Sequence, residues 1–243
     1  MLDRVGMPLT DEQMRQLEEY RDLLVTSANE FNLTSLRDAG SIERRHLAES
    51  LAFGLLLARR DLLPPAASRA RNESLGRVRV LDIGSGAGLP GIPLRIAWPG
   101  IRLTLLESVG KKCRFLEQAC AALGLRDVEV VEGRAEDLGR DPAHRETYDL
   151  VVARAVAPLP VLLEYALPAL RTGGRLAAPK GSAALSELDA AASALTVLGG
   201  RLDDAPQFQP PGGLRQTVVL VEKVAPTPAR FPRRAGMPSK RPL

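Results

Sequence analysis

Apolar residues recur along the chain with two different periods, and the change from one to the other organises the sequence. Met14, Leu17, Tyr20 and Leu24 follow at three- and four-residue spacing, the period of a helix with one buried face. Thr10 with Gln13 three positions later forms a capping box, in which each side chain satisfies a backbone N–H of the other residue. A helix is therefore predicted from there to about Ala28. A polar break over 29–38 precedes a second predicted helix at 41–58, and the two read as an N-terminal helical cap occupying 1–60. The stretch 61–77, with Pro64-Pro65 and scattered Ala, Ser, Asn and Arg, reads as a flexible surface linker. From there short apolar runs at 78–83, 101–106, 128–131, 148–153 and 175–178 alternate with helical patterns at 89–98, 111–123, 160–170 and 183–198. That alternation predicts a parallel sheet with helices on both faces. Two extended stretches, 201–209 and 215–223, flank Pro210-Pro211-Gly212-Gly213 with no helix between them, so they are predicted to pair antiparallel. The sheet would then have seven strands, mostly parallel, within an α/β domain at 78–225, followed by a basic tail at 226–243.

Composition narrows the class. With 243 residues and 45% hydrophobic content, the chain can bury an ordinary core. Aromatics are only 4%, so that core must be built from Leu, Val, Ile and Ala. A formal charge of +4 and a pI near 9.4 favour an anionic partner without establishing one. Cys113 and Cys120 lie two turns apart on a predicted helix, too far along the axis for an unstrained disulfide. No Cys/His cluster has zinc spacing, so no metal is expected. No secretion signal is visible at the N-terminus, and no apolar run reaches the roughly 18 residues of a membrane span. A cytoplasmic, monomeric protein is the expectation.

The most informative stretch is Asp82-Ile83-Gly84-Ser85-Gly86-Ala87-Gly88-Leu89-Pro90-Gly91. It follows a predicted strand and opens a helix. Glycines there permit positive φ and close approach of a ligand to the backbone. Gly86 to Gly91 also satisfies the dinucleotide spacing GxGxxG, which alone is a weak signal. Asp82, two residues before the first glycine, suits a ligand with a cationic amino-acid end and would repel a pyrophosphate. Glu107 ends the next strand, where a carboxylate can accept both hydroxyls of an adenosine ribose. Ala135 and Glu136 follow the third strand and are candidates to bracket an adenine ring, although a solvent-facing Glu136 fits equally. Arg154 follows the fourth strand, pointing into the crevice or paired with a nearby acid.

These residues resemble the bacterial 16S ribosomal RNA guanine-N7 methyltransferase family, RsmG or GidB. The resemblance runs through Asn32-Leu33-Thr34 with Arg45-His46-Leu47-Ala48-Glu49-Ser50-Leu51, the glycine loop with Leu89-Pro90-Gly91-Ile92-Pro93, and Glu107-Ser108 with Gly110-Lys111-Lys112. It continues in Phe115-Leu116, Arg154-Ala155-Val156-Ala157, Gly173-Gly174 and Lys180-Gly181. The family usually carries Asp where Glu49 stands. The resemblance implies a Rossmann-like class I methyltransferase, with the antiparallel hairpin closing its sheet. It implies S-adenosylmethionine as cofactor and the RNA of the small ribosomal subunit as partner. Cofactor-binding candidates are Asp82, Gly84, Ser85, Gly86, Gly88, Leu89, Glu107, Ser108, Ala135, Glu136 and Arg154.

Guanine N7 carries a lone pair and no proton, so methylation there needs no general base, and orientation and desolvation suffice. No catalytic acid or base is assigned. Asn32, Arg154 and Lys180 are positioning candidates. RNA-binding candidates are Arg44, Arg45, His46, Lys111, Lys112, Arg114, Arg134, Lys180, Arg233 and Arg234, with the tail expected to be a flexible arm that folds on RNA. The alternatives are an NAD(P)-dependent reductase, supported by the glycine spacing but lacking a Tyr-x-x-x-Lys pair, a non-enzymatic RNA-binding module, and a methyltransferase for small molecules.

Overall fold

The computed structural model describes residues 6–31, 38–64, 77–210 and 213–243; Asn32 and most of the expected linker lie outside them. The chain divides into two compact units, one of residues 1–78, 85–132 and 209–214, the other of 79–84, 133–208 and 215–243. In chain order the elements are α1 (Asp11–Phe31), α2 (Ala39–Ile42), a π-helical stretch (Glu43–Leu47), α3 (Ala48–Ala58), β1 (Val78–Ile83), α4 (Gly91–Ala97), β2 (Ile101–Glu107), α5 (Gly110–Ala122) and β3 (Val128–Glu132). There follow α6 (Ala135–Leu138), β4 (Tyr148–Ala153), α7 (Leu159–Ala166), β5 (Leu170–Lys180), α8 (Ala184–Ala190), α9 (Ala192–Leu198), β6 (Gly200–Asp204), β7 (Gln207–Phe208), β8 (Gln216–Lys223) and α10 (Met237–Lys240).

In the first unit the capping box forms as read. Thr10 N donates to Gln13 Oε1 at 2.9 Å, and Gln13 N to Thr10 Oγ1 at 3.2 Å. The Gln13 amide has a second use. Its Nε2 reaches Ile96 O at 2.9 Å and Ala97 O at 3.2 Å, while Gln16 Nε2 reaches Leu123 O at 2.8 Å. Helix α1 thereby satisfies carbonyls left over at the C-terminal ends of α4 and α5 as it buries Leu17, Tyr20 and Leu24. The helix expected at 41–58 is interrupted by the π-helical stretch. Ile42 and Leu47 are both buried although they stand five positions apart. An α-helix would rotate them onto different faces, and the wider π turn brings them back toward one. Strands β2 and β3 pair in parallel, ending with Glu107 opposite Glu132. Cys113 and Cys120 are buried free thiols, and burial pushes the Cys120 thiol up to about 11.

In the second unit β1, β4 and β5 are parallel neighbours, and β8 runs antiparallel to β5 and β6. The closing antiparallel pair expected from sequence is present. Among the described residues there are eight strands, one more than expected, because the 201–209 stretch divides into β6 and β7. Pro206 lies at the division; it has no N–H to give a ladder, and its carbonyl accepts from Val218 N at 2.9 Å. Helix α7 follows Pro158 at its N-cap, carries Pro160 in its first turn and stops before Pro168, as proline chemistry dictates. The 183–198 helix is two short ones, parted at Ala191.

The tail departs from expectation. Residues 226–243 are docked within the second unit, not a free arm. Phe231, Pro232 and Pro238 are buried, Arg145 donates to Thr227 O at 2.7 Å and Phe231 O at 2.8 Å, and Arg140 to Pro232 O at 2.9 Å. Lys223, fully buried, anchors the same region: its ammonium donates to Leu167 O (2.5 Å), Leu170 O (3.2 Å) and Glu146 Oε1 (3.1 Å). Burial lowers the Lys223 pKa. Burial alone would raise that of Glu146, yet the Thr227 N–H and the Lys223 ammonium outweigh it and hold the carboxyl below its ordinary value of 4.5.

A depressed carboxyl pKa contributes stability that is present above the unfolded value and lost as pH falls through the folded one. Urea unfolding of the wild type should therefore lose stability below about pH 4.5, and Glu146→Gln should lose less over the same interval. Equal pH dependence in the two proteins would refute the assignment. Lys223→Met, which strands two buried carbonyls, should cost about 2–4 kcal/mol at neutral pH.

Candidate active site

The carboxyl ends of parallel strands are where open α/β sheets bind ligands, and the sequence-predicted residues gather at such ends in each unit. In the first unit the organising group is Glu107, the last residue of β2, only 6% exposed. Its Oε2 accepts from Gly86 N at 3.0 Å, and its Oε1 from Ser108 N at 2.8 Å and Val109 N at 3.0 Å. Lys112 Nζ stands 3.9 Å from Oε2. One carboxylate thus ties the glycine loop to the turn that starts α5.

The loop itself is a series of tight turns. Ser85 N donates to Leu106 O at 3.0 Å, and Gly88 N and Leu89 N return to Ser85 O at 2.7 and 3.1 Å. Gly86 and Gly88 have φ of +60° and +90°, values open to glycine and strained for L side chains. At Gly88 a Cβ would also fall 2.9 Å from both Ile92 Cγ1 and Tyr20 Oη. The Tyr20 hydroxyl donates to Ala87 O. Periodicity marked Tyr20 as a core residue of α1, but its grip on the loop has no local sequence signal. Leu89 is buried and Ser108 exposed.

In the second unit Asp82 lies on β1 opposite Val152, fully buried, and Arg154 follows β4 half-buried. Gly84 has φ +66°, and a Cβ there would meet Val156 Cγ2 at 2.9 Å. Ala155, between Arg154 and Val156, has φ +56°, a strained value for a residue other than glycine. The loop carrying it is braced: Lys180 Nζ donates to Ala157 O at 2.6 Å and pairs with Glu187 at 2.8 Å, and Glu187 accepts from Leu159 N at 2.7 Å. Lys180, a candidate for phosphate contact, is committed to these partners. Ala135 and Glu136 open α6, both buried, with Glu136 Oε1 accepting from Gly236 N at 2.8 Å. Glu136 is therefore not the solvent-facing acid of the alternative reading.

Of the remaining candidates, Lys111, Arg114, Arg134 and Arg234 are exposed, and Lys112 and His46 half-buried. His46 O accepts the Ser50 hydroxyl at 2.6 Å. Arg44 and Arg45 lie in the π-helical stretch, their side chains outside the description. Arg233 forms an ion pair with Glu164 at 2.6 Å. Among the described residues no group of three His, Cys, Asp or Glu side chains is placed to hold a metal ion, and no helix is long and apolar enough to cross a membrane.

The parallel strands closed by an antiparallel β8, with a glycine loop after β1 and an acid ending β2, define a Rossmann-like class I methyltransferase. The chain belongs to the rRNA small subunit methyltransferase G family, GidB, whose pattern it matches over residues 13–216. Ribosomal RNA small subunit methyltransferase G of Chloroflexus aggregans is 46% identical over 238 residues, covering 98% of this chain and 93% of the relative. The Roseiflexus castenholzii protein of the same name is also 46% identical, covering 98% and 95%. Among solved structures, TrmN from Thermus thermophilus superposes with a TM-score of 0.53 at 22% identity, over 72% of this chain and about half (49%) of that one. The ribosomal protein L11 methylase of Lactobacillus delbrueckii gives 0.50 at 17% identity, over 72% and 79%. At such identities the structures speak to fold alone. The family makes the chain a methyltransferase enzyme of ribosomal RNA.

Two substitutions test the loop without any ligand. Gly88→Ala should cost about 1–3 kcal/mol from the backbone strain, beyond any shift of Ile92. Glu107→Gln presents a donor where N–H groups converge and should cost a similar amount, about 1–3 kcal/mol. Thermal melts of the purified proteins read both, and wild-type stability in either would contradict the geometry.

Proposed function

We propose that the chain transfers a methyl group from S-adenosylmethionine to N7 of one guanine in the RNA of the small ribosomal subunit. The observation that carries this reading is the buried Glu107 carboxylate bound to the glycine loop. Three peptide N–H groups hold it in place, and a carboxylate has about four lone-pair positions, so it retains capacity for a ribose hydroxyl. With a left-handed glycine on either side of Ala87, the donor set and open backbone fit an adenosine. The bound cofactor would supply a methyl already activated on a sulfonium centre.

The chain's own residues then hold and orient. Glu107 takes a ribose hydroxyl, with Ser108 beside it. Asp82, a buried acid at the head of the same loop, suits the cationic amino-acid end. Gly84, Ser85, Gly86, Gly88 and Leu89 shape the backbone path, and Ala135 with the peptide of Glu136 lies along the adenine edge. Arg154, held after β4 by the braced loop, positions cofactor or RNA, as does Asn32. Guanine N7 has no proton to lose, so the reaction asks these residues for alignment and exclusion of water. The relatives' names carry small-subunit ribosomal RNA as substrate. The reading has the enzyme act in the cytoplasm, where small subunits are assembled, as a monomer.

S-adenosylhomocysteine at 100 times its Kd should stabilise the protein by roughly 2.7 kcal/mol, whereas NADH should not shift the melt. Glu107→Ala should abolish the stabilisation. Small subunits from a strain lacking the enzyme should accept a labelled methyl on a single guanine N7. Stabilisation by NADH, or label confined to small molecules, would refute the reading.

A further inference from the structure

We propose that the docked tail, residues 226–243, together with α6, forms a rigid basic plate that binds phosphates of the RNA substrate, and that the buried carboxylates of Glu164 and Glu136 set its position. The inference rests on the RNA-methylating function proposed above and names a surface for its substrate.

The tail holds Arg230, Arg233, Arg234, Lys240 and Arg241 and no acidic residue. Glu164 is 0% exposed, on a helix whose other buried residues are apolar or proline. A carboxylate so placed is costly without a partner, and the tail supplies one. Arg233 N donates to Glu164 Oε1 at 2.7 Å, Arg233 Nε to the two oxygens at 2.9 and 3.1 Å, and Nη2 to Oε2 at 2.6 Å. Glu136 takes the Gly236 N–H three residues on, where Gly236 adopts φ +78°. Tyr165 and Ser239 hydroxyls meet at 2.8 Å, and Gly139 lets Pro232 approach to 3.1 Å of where a Cβ would stand.

Docking divides the cations. Arg233 is committed to Glu164. Arg230, Arg234, Lys240 and Arg241 remain exposed, as do Arg134, the N-cap residue before α6, and Arg140, whose Nε anchors Pro232 O. Asp137 of α6 and Asp141, next to Arg140, are exposed acids among them. Fixed cations on a folded segment lose little conformational freedom on binding and gain from counterion release along a phosphate backbone. An RNA backbone, with a charge at every nucleotide, is the partner this group of exposed cations fits.

The full-length chain is tested against small-subunit ribosomal RNA over a range of salt concentrations. Replacing Arg234, Lys240 and Arg241 together by Ala should weaken RNA binding about 10- to 100-fold near physiological salt and reduce the slope of log K against log salt by about 2–3. Affinity for S-adenosylhomocysteine should stay unchanged. Glu164→Gln keeps every cation but weakens the clamp. It should raise hydrogen exchange across the tail and weaken RNA binding with the slope nearly retained, a combination that loss of charge does not produce. Wild-type RNA affinity and slope in the triple variant would overturn the proposal, as would wild-type affinity in Glu164→Gln once its tail exchanges freely. If Glu164→Gln does not fold, the triple variant, altered only at exposed positions, decides. Methyl transfer by the wild type is scored separately: its failure removes the proposed function, whereas intact transfer with an unaffected triple variant removes only the plate.

Discussion

One carboxylate at a strand end governs the geometry of the first unit. A loop built on left-handed glycines cannot satisfy its peptide N–H groups in a helix or ladder, and unpaired buried N–H groups are costly. Glu107 accepts from Gly86 on one side and from Ser108 and Val109 on the other. The loop after β1 and the start of α5 are therefore fixed relative to the same two oxygen atoms. Tyr20 fixes the far side of the loop through Ala87 O, and the tyrosine is held by α1, which the Gln13 and Gln16 amides tie to α4 and α5. The N-terminal helices thus belong to the support of the loop as much as to a cover.

The second unit likewise buries charge to hold segments together. Lys223 joins the end of β8 to the end of α7 and to Glu146, and Glu164 joins α7 to the tail. Lys180 and Glu187 brace the loop after β4, where Ala155 carries a backbone angle that costs free energy. Such strain persists only when its surroundings over-determine it, and the two braces supply that determination. Lys223, Lys180 and Arg233 are hence structural here, and the exposed basic residues are left available to an anion.

Much of this was legible in the sequence, for identifiable reasons. Periodicity and capping chemistry are local, so Thr10 with Gln13, the alternating strands and helices, and the final antiparallel pair could be read from neighbouring residues. Glycine positions and Asp82 and Glu107 stand at fixed offsets from strand ends, which made the glycine loop and its neighbouring acids readable. What escaped depends on partners far along the chain. Arg233 meets a glutamate 69 residues away and Gly236 one 100 residues away, so the tail read as a free arm. A clue existed: Glu164 stands alone in an apolar helix, Leu159 to Ala166, and a lone acid there asks for a cation from elsewhere. The π-helical turn at Glu43–Leu47 had a subtler sign in the spacing of five positions from Ile42 to Leu47.

The proposed chemistry accounts for why so much of the candidate site is backbone. Where a reaction must move a proton, a side chain of suitable pKa has to stand beside it, and such residues announce themselves in sequence. Methylation of a bare lone pair imposes no such demand, so selection of the reacting geometry falls to peptide groups, turns and the residues that hold them. Glu107, Tyr20 and the Lys180–Glu187 brace act by fixing positions, and each works through main-chain atoms of a neighbouring loop. A candidate site of this kind is recognised by which backbone segments are over-constrained, and in this chain the loops after β1 and β4 are the ones that several independent bonds and left-handed residues converge to hold.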